Sequence, residues 1–261
     1  MDIVVSTPGS PGTTFTDNVK NQIVVIYDVV NSTDDFDNVS GLRTYLEVHY
    51  GFKQTYTRNI LAFLQNCGIV TYQNVDGFQN KKFFTNIGCA YVDILKCLQI
   101  ANEEPESPER DAVIRDLKNI EEIIYFQCLK LMMMKTDCNY AEDFFDVLRF
   151  TDRYQHIDST EYLLIQYERE QNHRDFLSKM QQRLFQYRDR LISINVKTKT
   201  KNDSNGKTKS VNSFPYVQGN FTKAGVFVKN KDNQFFINEK RRTEVDSAIK
   251  EIEARWQTLA M

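Results

Sequence analysis

The 261 residues are 41% hydrophobic and 26% charged, with a formal net charge of −2; this is enough chain for two small domains and the composition of a globular protein. A run of about eighteen apolar residues, as a membrane-spanning helix requires, is absent, and the start Met1-Asp-Ile-Val-Val-Ser-Thr-Pro lacks the basic and apolar regions of a secretory signal. The five cysteines (Cys67, Cys89, Cys97, Cys128, Cys138) form no C-x-x-C pair, which points to a reducing, cytoplasmic setting without disulfides.

Residues 1–16, rich in Ser, Thr, Pro and Gly, are expected as a flexible arm. Val19, Ile23, Ile26 and Val30 give a first helical face. Val39, Leu42, Tyr45, Leu46 and His49 give a second, stopped by Gly51. Tyr56, Ile60, Phe63, Leu64 and Cys67 give a third, stopped by Gly68. The chain then reads as a strand over 69–73, a turn at Asp76-Gly77, a strand over 82–85, and a helix over 87–100. Residues 17–101 form one domain on this reading. An acidic, proline-bearing linker and a helical bridge occupy 102–173, including a long helix over 110–135 with Leu117, Ile120, Ile124, Cys128 and Leu131 on its apolar face. Met132-Met-Met134 reads as packing surface.

Residues 174–261 form the second domain: a helix over 174–192, a polar basic segment over 197–210, then a helix bearing Phe214, Val217, Phe221 and Ala224 on one face and stopped by Gly225. Two strands, 226–229 and 234–237, and a helix over 240–257 complete it. The expected fold is therefore mainly α with small β-hairpins.

Charge is unevenly placed. Residues 174–242 hold 16 Lys and Arg against 5 Asp and Glu, whereas 101–150 hold 6 against 12. A basic region on a nearly neutral chain suits a phosphate-binding surface.

One pattern occurs twice. Cys67-Gly-Ile-Val…Lys82-Phe-Phe-Thr-Asn followed by a helix parallels Ala224-Gly-Val-Phe-Val…Gln234-Phe-Phe-Ile-Asn followed by a helix. This unit resembles the winged helix-turn-helix domain, in which the helix before the glycine is the recognition helix and the hairpin is the wing. The resemblance covers residues 17–100 and, more loosely, 175–257. Two winged-helix-like domains joined by a helical segment resemble the recognition modules of type IIS restriction endonucleases, and also plasmid replication initiators.

The resemblance implies double-stranded DNA as partner. On the third helix Gln54, Thr55, Arg58 and Gln65 oppose the apolar face, with Thr57 on the flank. Arg and Gln are the side chains that pair bidentately with guanine and adenine. Lys81 and Lys82 are expected beside the turn of the first hairpin, near its tip. In the second unit Tyr216, Asn220 and Lys223 face away from the expected core, and Lys229 and Lys231 sit on the wing. Lys179, Arg183, Gln186 and Arg190 follow a 4-3-4 spacing opposite Phe176, Met180, Leu184 and Leu191, a stripe suited to phosphates.

No catalytic motif stands out. Asp111…Asp116-Leu-Lys118 is the nearest match to a metal-nuclease signature but falls on a predicted helix. His49, His156 and His173 lack ligand spacing. No metal, cofactor or membrane is expected, and any catalytic domain is expected elsewhere, in another chain or a further part of this one. A transcriptional regulator and a protein-interaction module without DNA binding are the alternative readings.

Overall fold

The computed structural model describes residues 1–5, 11–33, 36–71, 82–171, 176–198, 200–202, 208–210 and 212–260. It is mainly helical, with small β pairings. Asp2–Val5 form β1, and α1 follows at Asp17–Ser32. Thr16 caps α1, its Oγ1 accepting from the Val19 amide at 3.4 Å. Val19, Ile23, Ile26 and Val30 are buried, as their spacing predicts.

Two short helices come next, α2 at Val39–Tyr50 and α3 at Gln54–Asn66. Asn38 caps α2, and Gly51 ends it at φ 70° in the left-handed region. The turn between them is only residues 51–53. α4 spans Asn86–Glu103 and α5 spans Pro108–Met133, capped by Ser107 with Pro108 in its first turn. α4 and α5 pack along each other. The buried face of α5 differs from expectation: Ile120 and Leu131 are exposed, whereas Ile114, Glu121, Tyr125, Leu129 and Met132 are buried. A buried glutamate is tolerable here because Lys20 Nζ lies 2.7 Å from Glu121 Oε2 and the Tyr91 hydroxyl donates to Oε1 at 2.8 Å.

The second half contains α6 at Ala141–Tyr154, β2 at His156–Ile157, α7 at Ser159–Gln171 and α8 at Phe176–Arg188. β3 at Asn195–Thr198, β4 at Thr200–Asn202 and β5 at Thr208–Ser210 follow. Then come α9 at Phe214–Lys223, β6 at Phe227–Lys229, β7 at Phe235–Ile237, a 3₁₀ turn at Glu239–Arg241, and α10 at Arg242–Ala260.

Strand pairing departs from the expected hairpins: among the described residues the strands expected at 69–73 and 82–85 reduce to one bridge between Val70 and Phe84, and β4 and β5 pair antiparallel within the segment read as a polar basic stretch. β2 lies in the segment read as a bridge, yet it pairs antiparallel with β7, so the second hairpin becomes a three-stranded sheet of order β2-β7-β6. A two-residue strand leaves no periodic signal to read. β1, read as part of a flexible arm, pairs in parallel with β3. Ile3 and Val5 are buried there, and the amino terminus donates to the Ser193 carbonyl at 2.7 Å.

One arginine fastens α8 to α7, to the end of α6 and to the first residue of β2. Arg188 donates to Glu161 Oε1 at 2.6 Å and to the carbonyls of Tyr154 and His156 at 2.7 and 2.8 Å. Glu161 itself closes a capping box, accepting from the Asp158 amide while Asp158 Oδ1 accepts from the Glu161 amide. Among the described residues no helix is long and apolar enough to cross a membrane.

Candidate nucleic-acid interface

α3 and α9 end in the same way. At α3, Gly68 has φ 70°; its amide donates to the Gln65 carbonyl at 3.1 Å, and the Ile69 amide to the Leu64 carbonyl at 2.9 Å. At α9, Gly225 has φ 67°; its amide donates to Thr222 at 3.1 Å, and the Val226 amide to Phe221 at 2.9 Å. Both are Schellman closures, which satisfy the last helical carbonyls.

The parallel continues past the glycines. The Thr85 amide donates to the Ile69 carbonyl at 3.0 Å, and the Asn238 amide to the Val226 carbonyl at 2.8 Å. The Thr85 hydroxyl reaches the Gly68 carbonyl at 2.6 Å; the Asn238 side-chain amide reaches the Gly225 carbonyl at 2.9 Å. Thr85 then caps α4 and Asn238 caps the 3₁₀ turn before α10. In each unit one polar residue closes the hairpin and starts the next helix. These bonds span 17 residues in the first unit and 13 in the second, a difference carried by the hairpin.

Of the first hairpin, the described part is its base, where Val70 pairs with Phe84 and the Thr71 amide donates to Phe83 at 2.8 Å. Lys82 is exposed, but at this base rather than near the tip, its carbonyl accepting from the Thr71 hydroxyl at 2.6 Å. Lys81 and the Asp76-Gly77 turn lie outside the described residues.

On α3, Thr55 and Arg58 are exposed, and among the described residues Arg58 has no ion pair. Gln54 is half-buried and donates to Glu47 Oε2 at 2.7 Å. Gln65 is half-buried at the other end, its carbonyl accepting from Lys135 Nζ at 2.8 Å. Thr57 is not on the open flank. It is 1% exposed, with its hydroxyl donating to the Lys53 carbonyl at 3.2 Å. Its i+3, i+4 and i+7 neighbours Ile60, Leu61 and Leu64 are all core, so the helix turns Thr57 inward. Lys53, exposed in the turn before α3, was not singled out from sequence; its place between Gly51 and the helix start was the available signal.

On α9, Tyr216 and Lys223 are half-buried, and Asn220 is fully buried. Asn220 therefore leaves the candidate surface. Its Oδ1 accepts from the Tyr125 hydroxyl, and its amide donates to the carbonyls of Thr13 and Tyr216 at 3.2 and 2.9 Å. Asn220 lies three residues after Val217 and four before Ala224, on the core face; its polar chemistry suggested the wrong side. Thr222 is exposed and Gln218 partly so, and these replace it. On the hairpin, Lys229 and Lys231 are exposed, with Lys229 Nζ 5.6 Å from the centre of the Phe235 ring.

The α8 stripe does not form. Lys179 is exposed, but Arg183 pairs with Glu168 and lies over the Tyr167 ring at 5.8 Å. Arg190 lies beyond the helix end with φ 60°, and Leu191 is exposed, so the 4-3-4 spacing loses its helix after Gln186.

The two candidate helices meet through the chain's start. A side chain at Gly12 would touch Asn59 of α3 at 3.3 Å, and one at Gly219 of α9 would touch Thr14 at 3.3 Å. Phe15 is fully buried, stacked 4.4 Å from Tyr125 and edge-on to Phe63 of α3 at 5.4 Å. Residues 12–15 thus wedge between α3 and α9.

Groups with shifted proton affinity lie elsewhere. Burial pushes the Asp143 carboxyl up to about 6, although it accepts from the Tyr162 hydroxyl at 2.6 Å and from Gln166, and lies 3.5 Å from Arg169. Asp146 is also raised by burial while bonded to Arg149 and Arg169. His156 is lowered, first by burial and then by Arg188. Asp143 and Asp146 are sealed among α6 and α7 with partners in place, which suits cohesion rather than chemistry. Asp111, Asp116 and Lys118 line a cleft of about 670 Å³ beside Lys240 and Arg241. Among the described residues, no three His, Cys, Asp or Glu side chains come together as a metal site.

No protein-family model, curated protein or solved structure matches the chain.

Proposed function

We propose that the chain binds double-stranded DNA through two winged-helix-like units, with α3 and α9 as the reading helices and the hairpins after Gly68 and Gly225 as wings. In this reading it is the recognition part of a restriction-type or other DNA-processing system and supplies no chemistry itself. The observation that carries the reading is the repeated closure: twice, a helix ends in a glycine Schellman motif, a hairpin follows, and one polar residue ties the hairpin to the glycine and caps the next helix. The side chains such a unit would offer are Lys53, Thr55, Arg58 and Lys82 in the first copy, and Tyr216, Gln218, Thr222, Lys223, Lys229 and Lys231 in the second. Threonine, glutamine and arginine bond base edges; lysines at turns and hairpins neutralise phosphates.

Fluorescence anisotropy with mixed-sequence duplexes at several salt concentrations tests this. Binding that weakens steeply with salt, as counterion release requires, supports the reading. Absence of binding at low salt, or binding indifferent to salt, removes it.

A further inference from the structure

A second surface sits where α4 turns into α5. Cys97, Ile100 and Ala101 of α4 face Val113 and Leu117 of α5 across a groove of about 680 Å³. This lies within the roughly 300–1,000 Å³ range of ligand pockets. Ile100 is 61% exposed and Val113 50% exposed, unusual for side chains at core-like spacings. Positions 97, 100, 101 and 113, 117 are i, i+3, i+4 and i, i+4 neighbours, so each helix extends an apolar stripe beyond the interface it shares with the other.

The rim is acidic. Glu104 and Glu109 line the groove, Glu103 and Glu106 lie within two residues of Glu104, and all four are exposed; among the described residues none has an ion pair. The one basic rim residue, Arg110, is engaged: its guanidinium donates to the Glu104 carbonyl at 3.0 Å and lies 3.4 Å from Asp111. We infer that this groove is a docking site for a basic amphipathic helix of a partner protein, with apolar side chains in the groove and Lys or Arg against the four glutamates. The inference is independent of the DNA reading.

Charge decides between occupants. An apolar floor with unpaired carboxylates repels both DNA and anionic lipid. A second copy docked symmetrically through the same face would set acidic rim against acidic rim. Helix-in-groove recognition uses apolar anchors at i, i+3, i+4 and i+7, and a basic flank supplies the missing counter-charges.

The test uses the full chain and a labelled helical peptide of about 15 residues. Leucines occupy those anchor positions, and lysines and arginines flank them. A scrambled peptide and a version with glutamates in place of the basic residues are the controls. Saturable binding of the basic peptide alone is expected. It should weaken by about tenfold or more in Ile100→Asp/Val113→Asp, as truncating central anchors does. It should lose its salt sensitivity when Glu103, Glu104, Glu106 and Glu109 are all changed to Gln. Circular dichroism and thermal melting establish that both variants fold. Equal binding of the control peptides, or no saturable binding, overturns the inference. Self-association in sedimentation velocity that Ile100→Asp abolishes would also overturn it, since the occupant would then be a second copy.

Discussion

Gly88→Ala is the sharpest test of the hairpin closure. A Cβ at position 88 would lie 2.1 Å from the Ile69 carbonyl oxygen and 3.0 Å from its carbon. Both are backbone atoms, so no side-chain rotation relieves the clash. Contact distance for such a pair is about 3.2–3.5 Å, so the first turn of α4 must retreat from the hairpin base by roughly 1 Å. That motion strains the Thr85 amide bond to Ile69 and the Thr85 hydroxyl bond to Gly68. Overpacking of this kind costs about 1–3 kcal/mol, and each weakened bond adds about 0.5–1.5 kcal/mol. Against this, alanine gains at most about 1 kcal/mol of helix propensity over glycine. The expected net effect is a loss of about 1–5 kcal/mol, read by urea denaturation. Gly41→Ala is the internal control: it lies in α2, and its Cβ would meet only Phe36, at an ordinary 3.9 Å. There the propensity gain stands alone, and stability should hold or rise by up to about 1 kcal/mol. If Gly88→Ala is as stable as Gly41→Ala, the close approach of α4 to Ile69 is refuted.

Asn220→Ala strands the Tyr125 hydroxyl in the core and should destabilise by about 1–3 kcal/mol; a denaturation midpoint within error of the parent would contradict its buried role. Its duplex affinity, measured under conditions where it is folded, should match the parent. Arg58→Glu/Lys82→Glu changes exposed side chains and should leave stability within about 0.5 kcal/mol while weakening duplex binding and flattening its salt dependence; unchanged anisotropy titrations would remove the first unit from the interface. Asp143 gives a pH prediction. Its carboxyl titrates at about 6 in the fold against an ordinary 3.8, so the folded state holds the extra proton between those values and stability falls as pH rises from about 4 to about 6. Asp143→Asn should remove that component, up to about 3 kcal/mol of pH dependence; parallel profiles for the two proteins in urea melts from pH 4 to 7 would show that the burial cost is not there.

Helix ends were legible where an apolar period met a stop: Gly51, Gly68 and Gly225 all act as their type suggests, whereas the caps Thr16 and Ser107 fell in segments read as arm and linker. The mainly helical class with small β elements followed from these. What failed were assignments of face. Thr57 and Asn220 were placed by chemistry when the angle around the helix decided the matter. Ile120 and Leu131 were placed inside on apolar spacing alone, whereas the buried face includes Glu121, whose partners Lys20 and Tyr91 come from other helices. β2 and β1 were missed because short strands are defined by their partners, and those partners are remote in sequence. Arg183 and Arg190 formed a stripe on paper. The fold spends one on Glu168 and puts the other past the helix end.

The segment over residues 12–15 has a consequence for how the chain reaches its folded state. The Asn220 amide that holds Thr13 is 207 residues away, and the Ser193 carbonyl that holds the amino terminus is 192 away. Residues 1–15 are therefore synthesised long before these partners. Until α9 exists, the Thr13 carbonyl lacks the amide that anchors it. Contacts this distant in sequence slow folding, because the whole intervening loop must close before they form. They also make the two regions cooperative: withdrawing α9 would loosen residues 12–15, and with them the packing beside α3.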